Sequence, residues 1–296
     1  MANAINAAIH KAQLPLRYLT KTLFRKALKC PRKLVYATNP SLYPRNQAEP
    51  LLQHLSQEGE RFGEYCKRLF PHGVEIEKYN SSIPRETTKR KNDAAVLESP
   101  SSLEKLVAQT HHTLMEGHDI NKRVTLFEGA VSHGSFYVQP DILDKIVTSD
   151  GERSQIELRV IEAKSKSWDS RHTVEEKMWA AKTKSIKAPF LPYIQDVAFQ
   201  SYVCQLVYPD VHVSSWLMMP DKNMKYNPGH EKLAGNPGQI ESLVPTVEET
   251  MQAIDGSIAS LLNVDELVEV ALSSEVSYPG SKKGETFKDV AQRWAE

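Results

Sequence analysis

The chain has 296 residues, of which 40% are hydrophobic and 25% charged, and its 37 basic and 37 acidic residues cancel to a net charge of zero. This composition is typical of a globular protein with one large domain or two small ones, and without an apolar run of about 18 residues it predicts no membrane-spanning helix. Its three widely spaced cysteines form no CxxC pair. They indicate a reducing compartment, so we expect a cytoplasmic protein.

The zero net charge hides a basic N-terminal part, because the first acidic residue is Glu49. The basic residues before it are Lys11, Arg17, Lys21, Arg25, Lys26, Lys29, Arg32, Lys33 and Arg45. A basic segment without acidic residues is typical of a mitochondrial transit peptide, of a surface that meets nucleic-acid phosphates, or of ordinary solvated helix faces. The composition leaves these three interpretations open.

The first half of the chain predicts mainly helices. "LTKTLFRKALKCPRKLVYAT" is typical of a helix that Thr20 caps and Pro31 interrupts. "PLLQHLSQEGERFGEYCKRLF" predicts a second amphipathic helix, and "GVEIEKY" a short strand. "SPSSLEKLVAQTHHTLMEG" predicts another helix, with a capping pattern from Ser101 to Glu104.

The second half predicts strands followed by further helices. "RVTLFEGAV", "SFYVQPDILDKIV" and "QIELRVIEAKS" indicate three strands in a meander, with turns at "SHG" and "TSDGERS". A charged, helical insertion (residues 170–188), the apolar helix "LPYIQDVAFQSYVCQLVY" and the strand "VHVSSWLMMP" follow. After a Gly- and Pro-rich loop, "TVEETMQAIDGSIASLLN" and "DELVEVAL" predict C-terminal helices.

Strands flanked by helices on both sides predict a mixed α/β (α+β) fold with a central mixed sheet. No linker divides the chain, so we expect a single domain over residues 1–296. Its core would cover about residues 50–220, with basic helices in residues 1–49 and C-terminal helices in residues 245–296.

One predicted strand ends in charge. In "QIELRVIEAKSKSW" the alternating residues Ile156, Leu158 and Val160 form an apolar face. The next two positions on that face are Glu162 and Lys164, whose charges are costly to remove from water.

Asp141 on the preceding strand offers these charges a partner. A hairpin with its turn near residues 150–151 would place Asp141 opposite residues 161–163, so that its carboxylate converges with that of Glu162. Two carboxylates make an oxygen-donor site for Mg²⁺ or Mn²⁺, and Lys164 could orient or deprotonate a water there, or stabilise charge on a phosphate. The alternative is a strand end that carries charge because it meets water.

Several blocks together resemble the RecB-like branch of the PD-(D/E)XK nucleases. They are "CPRKLVY", "GERFGEYCKRLFPHGVEI", "LFEGAV" with "VQPDIL", "EAK" and "DVAFQSYVCQLV". Their order agrees with the family over roughly residues 19–220, and they are most similar to an uncharacterised bacterial RecB-like group. The resemblance implies a restriction-endonuclease-like core.

The resemblance also implies roles for individual residues. Asp141 and Glu162 would be metal ligands, with the backbone carbonyl of Ala163 as a third, while Lys164 would be the catalytic lysine and Gln200 the motif glutamine. An additional carboxylate would come from the helix before the core. That role falls to Glu64, with Glu60 and Glu128 as alternatives; each could instead be a solvated glutamate or an ion-pair partner of Arg61 or Lys67.

The chain departs from the iron–sulfur members of that branch. Cys30 matches their first cysteine, but no cysteine follows Cys204, so we expect no iron–sulfur cluster. The usual Q-x-x-x-Y motif is also altered, because Tyr202 stands only two positions after Gln200.

The resemblance implies a Mg²⁺- or Mn²⁺-dependent deoxyribonuclease, exonuclease-like, acting on single-stranded DNA or duplex ends. It implies no membrane partner and allows protein partners in a recombination, repair or mobile-element system. The alternatives are a non-catalytic nucleic-acid-binding or assembly subunit on the same fold, and a mitochondrial nuclease with a cleaved presequence.

Overall fold

The computed structural model describes residues 18–38, 50–70, 72–76, 100–116, 123–149, 154–225 and 257–296. The basic residues before Tyr18, most of the predicted loop after Asp221 and the first part of the predicted helix after Pro245 lie outside these ranges. Within them, no helix combines the length and apolar character needed to cross a membrane.

The described residues form both helices and strands. The helices are α1 (Lys21–Lys29), α2 (Arg32–Thr38), α3 (Pro50–Arg68), α4 (Pro100–His111), α5 (Val174–Met178), α6 (Leu191–Val207), α7 (Asp265–Ser273) and α8 (Phe287–Ala295). The strands are β1 (Leu19–Thr20), β2 (Val74–Glu75), β3 (Val124–Phe127), β4 (Val131–His133), β5 (Phe136–Val138), β6 (Ile142–Ser149), β7 (Ser154–Ala163), β8 (Trp179–Ala180), β9 (Ser185–Ile186), β10 (His212–Pro220) and β11 (Ala259–Asn263). A π-helical turn, His112–Glu116, continues α4.

The central sheet has six strands in the order β11-β10-β7-β6-β3-β2. The pairs β10–β7 and β2–β3 are parallel, and the other neighbours are antiparallel. Helix α6 covers one face through residues such as Val197 and Phe199, and α3 covers the other through Cys66, together with Leu69 just after the helix. The predicted mixed sheet between helices is therefore confirmed.

The predicted meander of three strands is wrong in detail, because the first two predicted strands are each divided. The left-handed backbone of Glu128 (φ 51°) ends β3, and Pro140, which cannot donate to a ladder, separates β5 from β6. Strands β4 and β5 form a hairpin around Gly134 (φ 56°). With β1 they make a separate three-stranded sheet in the order β1-β5-β4.

Three predicted helical features also need correction. In residues 170–188 only α5 is helical, begun by a capping box between Thr173 and Glu176, and the two-stranded β8–β9 sheet follows it. The segment "ASLLN" forms β11 because it pairs with the sheet edge β10, and a short apolar run does not distinguish strand from helix. Ser101 lies inside α4, which starts at Pro100, and so cannot cap it.

Candidate metal centre

The register of β6 and β7 brings Asp141 opposite Glu162. Ile142 pairs with Ile161 in this antiparallel ladder. Asp141, which precedes Ile142, therefore lies beside Glu162, which follows Ile161. The Oδ2 atom of Asp141 accepts a hydrogen bond from the backbone nitrogen of Ala163 at 2.8 Å. The predicted juxtaposition of residue 141 with residues 161–163 is confirmed.

Strand β7 also carries Glu162 into the interior. Leu158 and Val160 are fully buried on the face that α6 covers, and Glu162, two positions on, is 2% exposed. Its Oε2 accepts a hydrogen bond of 2.6 Å from Nε2 of Gln200. Its Oε1 accepts one of 2.8 Å from Nζ of Lys164, so Glu162 contacts both Lys164 and Gln200.

Asp196 is a member of the site that the sequence reasoning missed. It is buried on α6, and its Oδ2 accepts hydrogen bonds from Nζ of Lys164 at 2.8 Å and from Nη1 of Arg25 at 3.0 Å. The signal in the sequence was a carboxylate four positions before Gln200 on an otherwise apolar helix, which puts both side chains on one helix face.

Helix α1 brings two cations to the same place. Thr20 caps this helix, and Phe24 anchors it by stacking on Phe199 with ring centroids 4.9 Å apart. On the side facing the site, Nζ of Lys21 lies 2.5 Å from Oε1 of Glu162. One turn later Arg25 reaches Asp196, as described above. The basic N-terminal part therefore contributes directly to the charged centre.

The two carboxylates have opposite shifts of their pKa. Burial and the nearby charge of Glu162 raise the pKa of Asp141 to about 7. Burial alone would raise the pKa of Glu162 as well, but Lys21 and Lys164 lower it to about 2. Burial alone would lower the pKa of Lys164, but the charges of Glu162 and Asp196 raise it above its ordinary value. The Lys164 ammonium therefore stays charged.

The donor set fits a hard divalent cation. Asp141 and Glu162 repel each other across two neighbouring strands, and a shared cation would remove that repulsion. Among the described residues, two buried oxygens at the site also have no hydrogen-bond partner, Oδ1 of Asp196 and Oε1 of Gln200. Carboxylate oxygens such as those of Asp141 and Glu162 suit Mg²⁺ or Mn²⁺.

Glu64 lies in a second acidic cluster. Nζ of Lys67 makes ion pairs with Glu64 at 3.0 Å, with Glu75 at 2.8 Å and with Glu128 at 3.0 Å. Glu60 has its Oε1 atom 3.5 Å from the hydroxyl of Ser56. The structure therefore shows Glu64 in the ion pair with Lys67 that was the alternative. Its role as a metal ligand stays a prediction.

The arrangement has the composition of a metal-assisted phosphoryl site, with a carboxylate pair, a charged lysine and further cations beside them. Comparisons of the chain with protein-family models, with curated proteins and with solved structures found no match.

Proposed function

We propose that the chain is a Mg²⁺- or Mn²⁺-dependent DNA nuclease with a restriction-endonuclease-like core of the RecB-like kind. The observation that carries this proposal is the convergence of Asp141, Glu162 and Lys164 at the ends of two paired strands, where Glu162 and Lys164 share one hydrogen bond. Burying several charged groups costs free energy unless the charges are paired or bind a ligand. Perturbed pKa values also concentrate at functional sites.

Each residue has a physical role in this function. A divalent cation held by Asp141 and Glu162 would polarise the scissile phosphate and lower the pKa of a bound water. Gln200 fixes the carboxylate of Glu162 through its 2.6 Å hydrogen bond. Since the pKa of Lys164 is raised, this residue is suited to stabilise negative charge on the phosphate rather than to accept a proton.

A second candidate is a non-catalytic nucleic-acid-binding subunit. The ion pair between Lys21 and Glu162 supports it, because the site neutralises its own buried carboxylate without a metal. Such a protein would bind DNA and leave it intact under every metal.

Digestion of end-labelled linear, circular and single-stranded DNA with Mg²⁺ or Mn²⁺ separates the two candidates. We expect metal-dependent cleavage by the wild type and a loss of about 100-fold or more in Asp141→Asn and in Lys164→Met. The matched control Asp210→Asn removes an exposed carboxylate outside the site and should cleave normally. Undiminished cleavage by either site variant would refute the assignment.

A further inference from the structure

A basic groove begins beside the charged centre. It lies between α1, the β8–β9 hairpin and the facing sides of α6 and α7, and encloses about 470 Å³. That volume is within the range of roughly 300–1,000 Å³ typical of ligand sites. Its cationic lining consists of Arg25, Lys29 and Lys184, and Glu275 is its acidic member.

The cations of α1 form one stripe that leads into this groove. Lys21, Arg25 and Lys29 are spaced four residues apart, which puts them on one helix face over about 12 Å. The first contacts Glu162 and the second contacts Asp196. Lys29, the third, is exposed on the groove wall. The stripe therefore runs outward from the proposed reaction centre.

Lys184 closes the groove from the opposite side at a strained position. Its backbone has φ 47°, in the left-handed region that is unfavourable for residues other than Gly, Asn and Asp. Over the described ranges, no carboxylate pairs with Lys184 or with Lys29. Glu275 accepts instead from the backbone nitrogen of Gly284 at 2.8 Å. Two exposed ammonium groups thus line the groove, and neither forms an ion pair with a carboxylate of the described residues.

We propose that this groove holds the backbone of a single nucleic-acid strand next to the scissile phosphate, with Lys29 and Lys184 each contacting one phosphate. The inference rests on the proposed nuclease function and names the path of its substrate. With a volume of about 470 Å³ the groove is too small to enclose a duplex, so we assign it to one strand. The cations of the groove neutralise the backbone without reading the bases, so the binding should be independent of sequence.

The test is the salt dependence of binding by the double variant Lys29→Gln/Lys184→Gly. Glycine adopts the backbone of residue 184 without steric conflict, so this variant should unfold at the same or a higher temperature. The control Lys105→Gln/Lys225→Gln also removes two exposed charges, and neither residue lines the groove. Fluorescence anisotropy of a labelled single-stranded thymidine oligonucleotide in Ca²⁺ measures binding for each protein over a series of salt concentrations.

We expect the groove variant to bind more weakly, with a slope of log K against log salt smaller by about 1.4, because each phosphate contact on a single strand contributes about 0.7. The control should keep the wild-type slope. An unchanged slope in the groove variant, or an equal change in the control, would overturn the inference. If the slope falls only in the groove variant but the wild type cleaves no DNA with Mg²⁺ or Mn²⁺, the nuclease proposal is refuted. The proposal that the groove binds a nucleic-acid strand is then still supported.

Discussion

Lys21 and Glu162, separated by 141 positions in the chain, share a hydrogen bond of 2.5 Å between Nζ and Oε1. The lysine side chain is 23% exposed and the glutamate side chain 2%, so the cation stands between a buried carboxylate and water. It occupies Oε1, one of the two carboxylate oxygens through which Glu162 would bind a metal. In the proposed metal site, a divalent ion and the Lys21 ammonium would therefore compete for the same oxygen.

Replacing Lys21 by Met should strengthen metal binding. Removal of a competing cation leaves Glu162 with Lys164 and Gln200 as partners, and we expect Mn²⁺ to bind about 3- to 10-fold more tightly, a gain of about 1 kcal/mol. Isothermal titration calorimetry measures the change. Lys33→Met, which removes an exposed cation of α2, should bind Mn²⁺ like the wild type. Weaker binding by the Lys21 variant would show that Lys21 supports the metal instead of opposing it.

The raised pKa of Asp141 predicts a pH dependence of stability in the absence of metal. Between the unfolded value near 4 and the native value of about 7, the native state holds a proton that the unfolded state lacks. The free energy of unfolding should therefore fall as pH rises through this window. The shift of Glu162 acts at lower pH, because its pKa is lowered to about 2 and its stabilisation is lost only on acidification below about 4.5.

Urea unfolding at a series of pH values with a chelator present measures this decline. Asp141→Asn should show a flatter dependence than the wild type over the same window, because it has no proton to release there. Mg²⁺ should stabilise the wild type more as pH rises, since the metal binds the deprotonated carboxylate. Identical pH profiles for both proteins would refute the assignment of the window to Asp141.

Asp196→Asn should reduce cleavage through Lys164 while sparing metal binding. The carboxylate holds the Lys164 ammonium at 2.8 Å, and its loss frees that side chain without removing Asp141 or Glu162. For a group that positions a catalytic side chain, we expect about a 10- to 100-fold drop in kcat. Mn²⁺ affinity should change little, because the Asp196 side chain is hydrogen-bonded to Lys164 and Arg25 and not to Asp141 or Glu162. A parallel loss of metal affinity would make Asp196 part of the metal centre.

A second buried ion pair, which makes no hydrogen bond to the proposed metal site, should contribute strongly to stability. Arg123 donates to both carboxylate oxygens of Asp144, at 2.9 and 2.8 Å, and Thr125 donates to one of them at 2.7 Å. Arg123→Met leaves the fully buried Asp144 without its cation, which should lower the free energy of unfolding by about 3–5 kcal/mol.

The control for this prediction is a bidentate pair whose arginine is exposed and whose carboxylate, that of Asp169, also binds Lys222 and Asn223. Arg171 also binds both oxygens of a carboxylate, that of Asp169, but its side chain is 69% exposed. Arg171→Met should therefore change the free energy of unfolding by less than about 1 kcal/mol. Urea denaturation of both variants gives the comparison, and equal effects would contradict the role assigned to burial.

Local patterns in the sequence predicted the half of the centre that lies close together in the chain. The period of two along β7 placed Glu162 on the buried face, and the hairpin register gave it Asp141 as a partner. Both inferences use contacts within one hairpin, where sequence spacing determines distance.

The rest of the centre depends on contacts between distant parts of the chain, which spacing does not encode. Lys21 and Arg25 reach the site because Phe24 docks α1 onto α6. Glu64 forms an ion pair with Lys67, three positions later on the same helix. Glu75 and Glu128 pair with the same lysine. The strand β11 was missed for the same reason, since only its pairing with β10 decides its conformation.

The separation between Lys21 and Glu162 has a consequence for the order of folding. Asp141 and Glu162 meet within one hairpin, whereas the Lys21–Glu162 pair joins residues 141 positions apart. Because closing a long loop costs more entropy than closing a short one, we expect this pair to form after the β6–β7 hairpin. Its appearance during refolding would therefore report the docking of α1 onto a sheet that has already formed.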